Sequence, residues 1–191
     1  MGRYLLLFIL VIAGYINLDA RQSGNKKNNG QGANNPAGTT IIYLVRHAEK
    51  DTSNPNDKDP DLNEAGRKRA LALKAYLQDV KVDGFFTTPY KRNQKTLTPL
   101  AQGRPVQVYE SHDYAFLRSK ILTEYKGKTV VVVGHSNTIL PIIETFGAKK
   151  PIDQITENDY DNIFRLTVSP KGKAKVEAKK FGVPSTHASR L

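Results

Sequence analysis

The chain has 191 residues, of which 39% are hydrophobic, so it is long enough to form one globular domain with a core. It contains no cysteine, which excludes disulfides, thiolate nucleophiles and cysteine metal sites. The net charge is +11, but residues 41–169 hold 19 basic and 16 acidic groups, so most of the excess lies nearer the two ends. Because the predicted folded part is almost balanced, we expect no nucleic-acid partner.

The first twenty residues are typical of an export signal. Arg3 supplies a positive start, Leu5 to Ile16 form an apolar run, and "LDA" ending at Ala20 resembles a cleavage motif. The run is shorter than the roughly 20 apolar residues that span a bilayer. Residues 4–18 could also remain as an uncleaved membrane anchor. We therefore expect an exported protein, periplasmic or extracellular.

Composition divides the rest of the chain. Residues 21–40 are rich in Asn, Gly, Gln and Lys and have no aliphatic side chain larger than Ala, which predicts a flexible linker. Residues 41–183 form the predicted domain, and residues 184–191 a tail.

Within the domain, apolar runs typical of buried strands alternate with segments of helical periodicity. Such alternation predicts an α/β fold, a three-layer α/β/α sandwich with a mainly parallel central sheet and a C-terminal hairpin. In chain order, the predicted elements are strand 41–45, helix 63–78, strand 82–88, helix 89–99, strand 106–109, helix 113–125, strand 129–135, helix 138–146 and the hairpin strands 162–168 and 173–181.

Polar residues follow the first four predicted strands. Arg46 and His47 follow the first strand, Arg92 lies in the helix after the second, Glu110 ends the third, and His135 ends the fourth. Ligands of such sheets bind at the carboxyl ends of the strands. We therefore expect two imidazoles, two guanidiniums and a carboxylate at one edge.

These groups together suit phosphoryl transfer. Guanidiniums bind phosphate oxygens through charge-assisted hydrogen bonds. A neutral imidazole can attack phosphorus, fixed cations stabilise the transferring group, and a carboxylic acid can protonate the departing oxygen. This chemistry needs neither a metal nor a cofactor, and we predict none.

Four segments, in this order, resemble the histidine phosphatase superfamily (phosphoglycerate mutase-like, branch 1). They are "VRHAEK", "DLNEAGRKRA", "TTPYKRNQKT" and "VVVVGHSNT", and the resemblance runs from about residue 41 to residue 147. Ala48 stands where the family usually has Gly. The connection after the third strand is short, whereas mutases have a long insertion there, so the chain resembles the short, SixA-like phosphatases.

The resemblance implies a role for each matching residue. His47 would be the phosphorylated nucleophile, Arg46 and Arg92 would clamp the phosphate, and His135 would complete the pocket. The family's general acid usually follows the third strand, where Glu110 is the first choice. Asp113 is the rival, although it also stands where a helix cap would.

Other polar residues near these motifs are open to two interpretations. Thr88 and Asn137 either donate to phosphate or cap helices. Glu49 and Lys50 either line the pocket mouth or pair in solvent, and we expect solvent. Among the remaining histidines, His112 is interpreted as a surface-loop residue and His187 as a tail residue.

The main hypothesis is a metal-independent phosphomonoesterase acting on a small phosphorylated substrate or a phosphoprotein through a phosphohistidine. One alternative is a phosphate-binding module of the same fold without turnover. Another is a serine hydrolase, because "GHSNT" resembles a nucleophile elbow centred on Ser136, although Thr138 would crowd its turn. We expect a membrane to be involved only through the N-terminal segment.

Overall fold

The computed structural model describes residues 37–185. Its six strands form one sheet in the order β3-β2-β4-β1-β5-β6. The elements are β1 (Thr40–Arg46), α1 (Glu64–Tyr76), β2 (Gly84–Thr87), α2 (Lys91–Ala101), β3 (Gln107–Val108), α3 (Tyr114–Glu124), β4 (Thr129–Gly134), α4 (Ile139–Thr145), β5 (Asn162–Val168) and β6 (Ala174–Lys180).

The central strands β1 and β4 are buried on both faces, because their side chains alternate between two apolar layers. Ile42 and Leu44 pack on one side with residues of α3 and α4, such as Leu117 and Ile139. Ile41, Tyr43 and Val45 pack on the other side, with residues of α1 and α2. The predicted three-layer α/β/α architecture is therefore confirmed.

The sheet is mixed. β3, β2, β4 and β1 are parallel to one another, and β5 pairs antiparallel with β1 and with β6. The predicted C-terminal hairpin is present, and its turn includes Gly172 at φ +80°. The parallel part has its carboxyl ends at one edge, which is where the predicted site residues lie.

Two predicted boundaries of α2 are wrong. The helix begins at Lys91 rather than at Pro89, and it continues through Pro99 to Ala101. Proline lacks the N–H that would bond to Lys95, but Leu100 and Ala101 are buried in the core. Their packing holds the last turn in helical form.

The domain also extends slightly beyond its predicted limits. Thr40 belongs to β1 and is buried, although composition assigned it to the linker. At the other end, the Ser185 N–H donates to Asp161, and the Ser185 hydroxyl accepts from the N–H groups of Tyr160 and Asp161. Residue 185 is therefore packed on the domain rather than being part of a free tail.

Glu49 does not pair in solvent as predicted. Its carboxylate accepts from Nε and Nη2 of Arg69 at 2.7–3.0 Å, and Arg69 is buried. The Arg69 side chain also donates to the Val183 carbonyl. Gly66 faces this same segment, and a Cβ there would lie 2.1 Å from the Glu49 carbonyl oxygen. The absence of a side chain lets α1 approach the backbone just after His47.

Several predictions concern residues outside 37–185. These are the export signal or anchor at 1–20, most of the linker, and the end of the tail with His187. Among the described residues, no helix combines the length and apolar character needed to cross a membrane.

Candidate active site

The two histidines meet because their strands are adjacent and parallel. Arg46 at the end of β1 is in register with Gly134 at the end of β4, and the His47 N–H donates to the Gly134 carbonyl at 2.9 Å. His135 follows Gly134 directly. The imidazole centroids of His47 and His135 are 5.5 Å apart, in an edge-to-face arrangement.

His47 is held as a neutral imidazole. Only 4% of the residue is exposed, and its Nδ1–H donates to the Ala48 carbonyl at 2.9 Å, which leaves Nε2 with a free lone pair. Burial lowers the pKa of His47 to about 3, against the opposing hydrogen bond to Ala48, and the nearby charges of Arg46 and Arg92 act in the same direction as burial. At neutral pH, Nε2 is therefore unprotonated.

Arg46 is buried beside His47. Its Nη1 donates to the carbonyls of Thr156 and Glu157, at 2.7 and 2.9 Å. Its Nη2 lies 2.9 Å from the Glu157 carboxylate, and the guanidinium sits 4.2 Å from the centre of the Tyr160 ring. The Arg46 Nε is buried and has no hydrogen-bond partner within residues 37–185.

Arg92 reaches the same edge from the first turn of α2. Its guanidinium lies 4.4 Å from the centre of the Tyr90 ring, and Nη1 is 3.6 Å from the Asp59 carboxylate. Like that of Arg46, its Nε is buried without a partner among the described residues. Both arginines line one cleft of about 330 Å³ together with His47 and His135.

His135 faces two hydroxyl groups. Its Nε2 is 3.1 Å from Thr88 Oγ1 and 3.4 Å from Ser111 Oγ. Burial lowers the pKa of His135 to about 4, and the Arg92 guanidinium adds to the effect. His135 is therefore also neutral at pH 7 in the ligand-free chain.

Neither Thr88 nor Asn137 caps a helix. Tyr90 precedes α2 and Thr138 precedes α4 at the capping positions. Thr88 is buried, and its hydroxyl is within hydrogen-bond distance of the His135 imidazole. Asn137 is exposed and lines the cleft.

A larger cleft of about 490 Å³ continues from the arginine–histidine cluster, and the two share Arg92, His135 and Asn137. Both candidate acids line it. Asp113 accepts from the Phe116 N–H at 3.0 Å and so caps α3, while the Glu110 carboxylate is exposed and makes no side-chain hydrogen bond or ion pair within residues 37–185.

The sequence interpretation missed several contributors to the site. His112 is exposed in the turn before α3, as predicted, and this turn lines the larger cleft. Glu157 and Tyr160 contact Arg46 from an irregular segment without any pattern that would have singled them out. Ser111 contacts His135, and only its position after the third strand hinted at this. Lys50 was expected to pair in solvent but lines the smaller cleft, which is the other interpretation given for it above.

Two fully buried polar residues of α2 fix both strand ends. Thr96 Oγ1 accepts from the Ala48 N–H at 2.8 Å and donates to the Arg92 carbonyl. Asn93 Nδ2 donates to the Gly134 carbonyl at 3.0 Å. The helix that carries Arg92 thereby holds the backbone beside each histidine.

The geometry gives less support to a serine nucleophile or a metal site. The Ser136 hydroxyl donates to the Glu157 carboxylate, and no imidazole is its partner among the described residues. Within residues 37–185, no three His, Asp or Glu side chains are grouped so that they could hold a metal ion.

The sequence model of the histidine phosphatase superfamily, branch 1, matches residues 42–113. That segment contains β1 from Ile42 to Arg46, His47 directly after it, and the chain through Arg92 to Asp113. No curated protein matches the chain in sequence.

Solved structures share the fold at low identity. The protein histidine phosphatase SixA complexed with tungstate has a TM-score of 0.60 and 15% identity over 73% of this chain and 96% of its own. A phosphoserine phosphatase from Entamoeba histolytica has a TM-score of 0.58 and 16% identity, over 80% and 100%. A mycobacterial glucosyl-3-phosphoglycerate phosphatase has a TM-score of 0.60 and 13% identity, over 75% and 100%.

The fold and the family match agree with the motifs that carry the two histidines and two arginines. Over residues 42–113 the chain matches branch 1 of the histidine phosphatase superfamily, and its fold is that of these solved phosphatases.

Proposed function

We propose that the chain is a metal-independent phosphomonoester phosphatase in which His47 is the transiently phosphorylated nucleophile. The observation that carries the proposal is the pair of buried Nε donors on Arg46 and Arg92, without partners among residues 37–185, beside a neutral imidazole. A buried donor without an acceptor is costly, and a phosphoryl oxygen bound in the cleft that both arginines line would supply one.

In the first step, the lone pair of His47 Nε2 attacks phosphorus while the ester P–O bond breaks. The departing oxygen takes a proton from a carboxylic acid, for which we propose Glu110. In the second step, that carboxylate accepts a proton from water, whose oxygen attacks phosphorus and breaks the P–N bond. Phosphate leaves and His47 returns to its neutral form.

The cations stabilise the charge that spreads over the equatorial oxygens of the transferring group. Arg46 and Arg92 carry their charge permanently. The pKa of His135 is low in the ligand-free chain, but a bound dianion would raise it and favour the protonated, donating form. Thr88 fixes the orientation of that ring.

The assignment of the acid rests on competing contacts. The Asp113 carboxylate already accepts a backbone N–H at the start of α3. Glu110 has no such contact among the described residues and lines the same cleft. It is free to reach a leaving group.

We also propose that the substrate is a small phosphorylated molecule or a phosphorylated protein side chain, because the larger cleft continues from the arginine–histidine cluster and leaves room for either. The solved neighbours include proteins named as a protein histidine phosphatase, a phosphoserine phosphatase and a glucosyl-3-phosphoglycerate phosphatase. A phosphate-binding module without turnover is the second candidate. Complete absence of ester hydrolysis with retained phosphate binding would favour it.

We propose export as the location, because residues 1–20 combine an apolar run with a sequence that resembles a cleavage motif. The expected result is a mature chain that begins at Arg21 and is recovered outside the cytoplasm. N-terminal sequencing of the protein from separated cell fractions tests this. A full-length chain in the membrane fraction would indicate the anchor instead, and a full-length chain in the cytoplasm would contradict export.

Replacement of the nucleophile is the first test of mechanism. His47→Ala should lower turnover of phosphate monoesters by at least about 10³-fold, because the other imidazole of the cleft, His135, has its Nε2 engaged by the hydroxyl of Thr88. Steady-state hydrolysis of an ester panel measures this. His187→Ala, which removes an imidazole from the predicted tail, is the matched control and should retain activity.

A chelator should leave wild-type activity unchanged, since no metal enters the proposed mechanism. Wild-type turnover in His47→Ala would contradict the phosphohistidine, and loss of activity with chelator would contradict metal independence.

The two candidate acids can be separated by leaving group. Glu110→Gln should lower kcat by about 10²-fold or more on alkyl phosphates, whose alkoxide must be protonated, and much less on para-nitrophenyl phosphate. Asp113→Asn keeps an oxygen that can cap α3 and should leave both substrates near wild-type rates. The reverse ranking would assign the acid to Asp113.

The lowered pKa of His47 predicts a dependence of stability on pH. Between pH 6.5 and 5 the unfolded chain protonates this imidazole while the folded chain does not, so the free energy of unfolding falls as pH falls. The contribution of His47 over that range is about 2 kcal/mol. Well above pH 6.5 the imidazole is neutral in both the folded and the unfolded chain, and this loss of stability is absent.

Urea unfolding at pH 7 and at pH 5 measures this effect. His47→Asn should lose less stability across the range than wild type, whereas His112→Asn, at an exposed position, should behave like wild type. An equal loss in His47→Asn and wild type would show that His47 is not buried in its neutral form.

A further inference from the structure

Arg46 already contacts an anion of its own chain. Glu157 Oε2 lies 2.9 Å from Arg46 Nη2, and Glu157 Oε1 accepts from the Ser136 hydroxyl at 3.1 Å. Glu157 lines the same small cleft as His47, Arg92 and His135. A carboxylate therefore sits beside the group that must meet a phosphoryl oxygen in the proposed function.

The position of Arg46 does not depend on that carboxylate. Nη1 is held by two backbone carbonyls, those of Thr156 and Glu157, and the guanidinium packs on the Tyr160 ring. These contacts remain when the Glu157 side chain rotates. The side chain is 76% exposed, so turning it toward solvent sacrifices little packing.

The carboxylate is charged in the ligand-free chain. Partial burial raises the pKa of Glu157, but the Arg46 charge and the Ser136 hydroxyl outweigh it, and the net shift is downward. A dianionic ligand that reaches Arg46 therefore meets a negative charge, and like charges brought together are costly.

We propose that the Glu157 carboxylate competes with the phosphoryl group for Arg46 and thereby sets the affinity of the site for dianionic esters. The inference rests on the proposed function, since it assumes that phosphate binds at Arg46. The carboxylate should weaken the binding of a ligand of charge −2 more than the binding of a ligand of charge −1. Its removal should tighten phosphate-ester binding and increase the preference for dianions.

The experiment compares two ligands of similar shape. Phenyl phosphate is a dianion at pH 8, and phenyl sulfate is a monoanion. Binding is measured by calorimetry on the full chain carrying His47→Ala, which prevents turnover. Adding Glu157→Gln should lower the Kd of phenyl phosphate about tenfold and that of phenyl sulfate by less.

Glu124→Gln is the matched control. Glu124 is half exposed and pairs with Lys120 at 2.7 Å, but it lies at the end of α3 that leads into the start of β4, at the opposite edge of the sheet. Glu124→Gln removes the same charge as Glu157→Gln and should leave the Kd values of both ligands unchanged. Glu157→Ala should act in the same direction as Glu157→Gln if charge is the cause.

Unchanged or weaker phenyl phosphate binding in Glu157→Gln and Glu157→Ala would overturn the inference, and weaker binding would show that the carboxylate orients Arg46. Equal tightening by Glu124→Gln would also overturn it. In either case, wild-type ester hydrolysis would leave the proposed function standing. If no ester is hydrolysed by the wild type and phenyl phosphate binds to neither variant, both proposals fail.

Discussion

The carbonyl of Gly134 is the point on which the site depends. It accepts the N–H of His47 at 2.9 Å and the Nδ2 of Asn93 at 3.0 Å, so one acceptor joins β1, β4 and α2. Parallel pairing of Arg46 with Gly134 brings the next residue of each strand out at the same edge. A slip of one residue would turn His47 to the other face of the sheet. The distance between the imidazoles therefore follows from strand register.

Burial then gives these side chains their chemistry. The same apolar layers that exclude water from β1 and β4 lower the pKa of His47 and leave its Nε2 unprotonated. Among residues 37–185, three buried side-chain atoms have no hydrogen-bond partner: the Nε donors of Arg46 and Arg92 and the Oδ1 acceptor of Asn93. Donors fixed in a poorly hydrated site interact strongly with developing charge, because little reorganisation is needed when it appears.

Much of this arrangement could be predicted from local patterns. A buried apolar run that ends in Arg46 and His47, and a second that ends before His135, place both imidazoles at one edge once the sheet is parallel. The pairing of Glu49 with Arg69 could not be predicted, because the partners lie on different elements and their approach depends on Gly66. The contacts of Glu157 and Tyr160 with Arg46 could not be predicted either, since residues 149–161 are irregular and have no periodicity from which their direction could be inferred.

The central claim is that both imidazoles and both guanidiniums act on one bound oxyanion. A crystal structure of the chain with orthovanadate tests it most directly, since vanadate adopts the geometry of a phosphoryl group under attack. We expect vanadium bonded to His47 Nε2, with its oxygens in hydrogen-bond contact with Arg46, Arg92 and His135. Vanadate bound elsewhere, or at this edge without contact to His47, would contradict it.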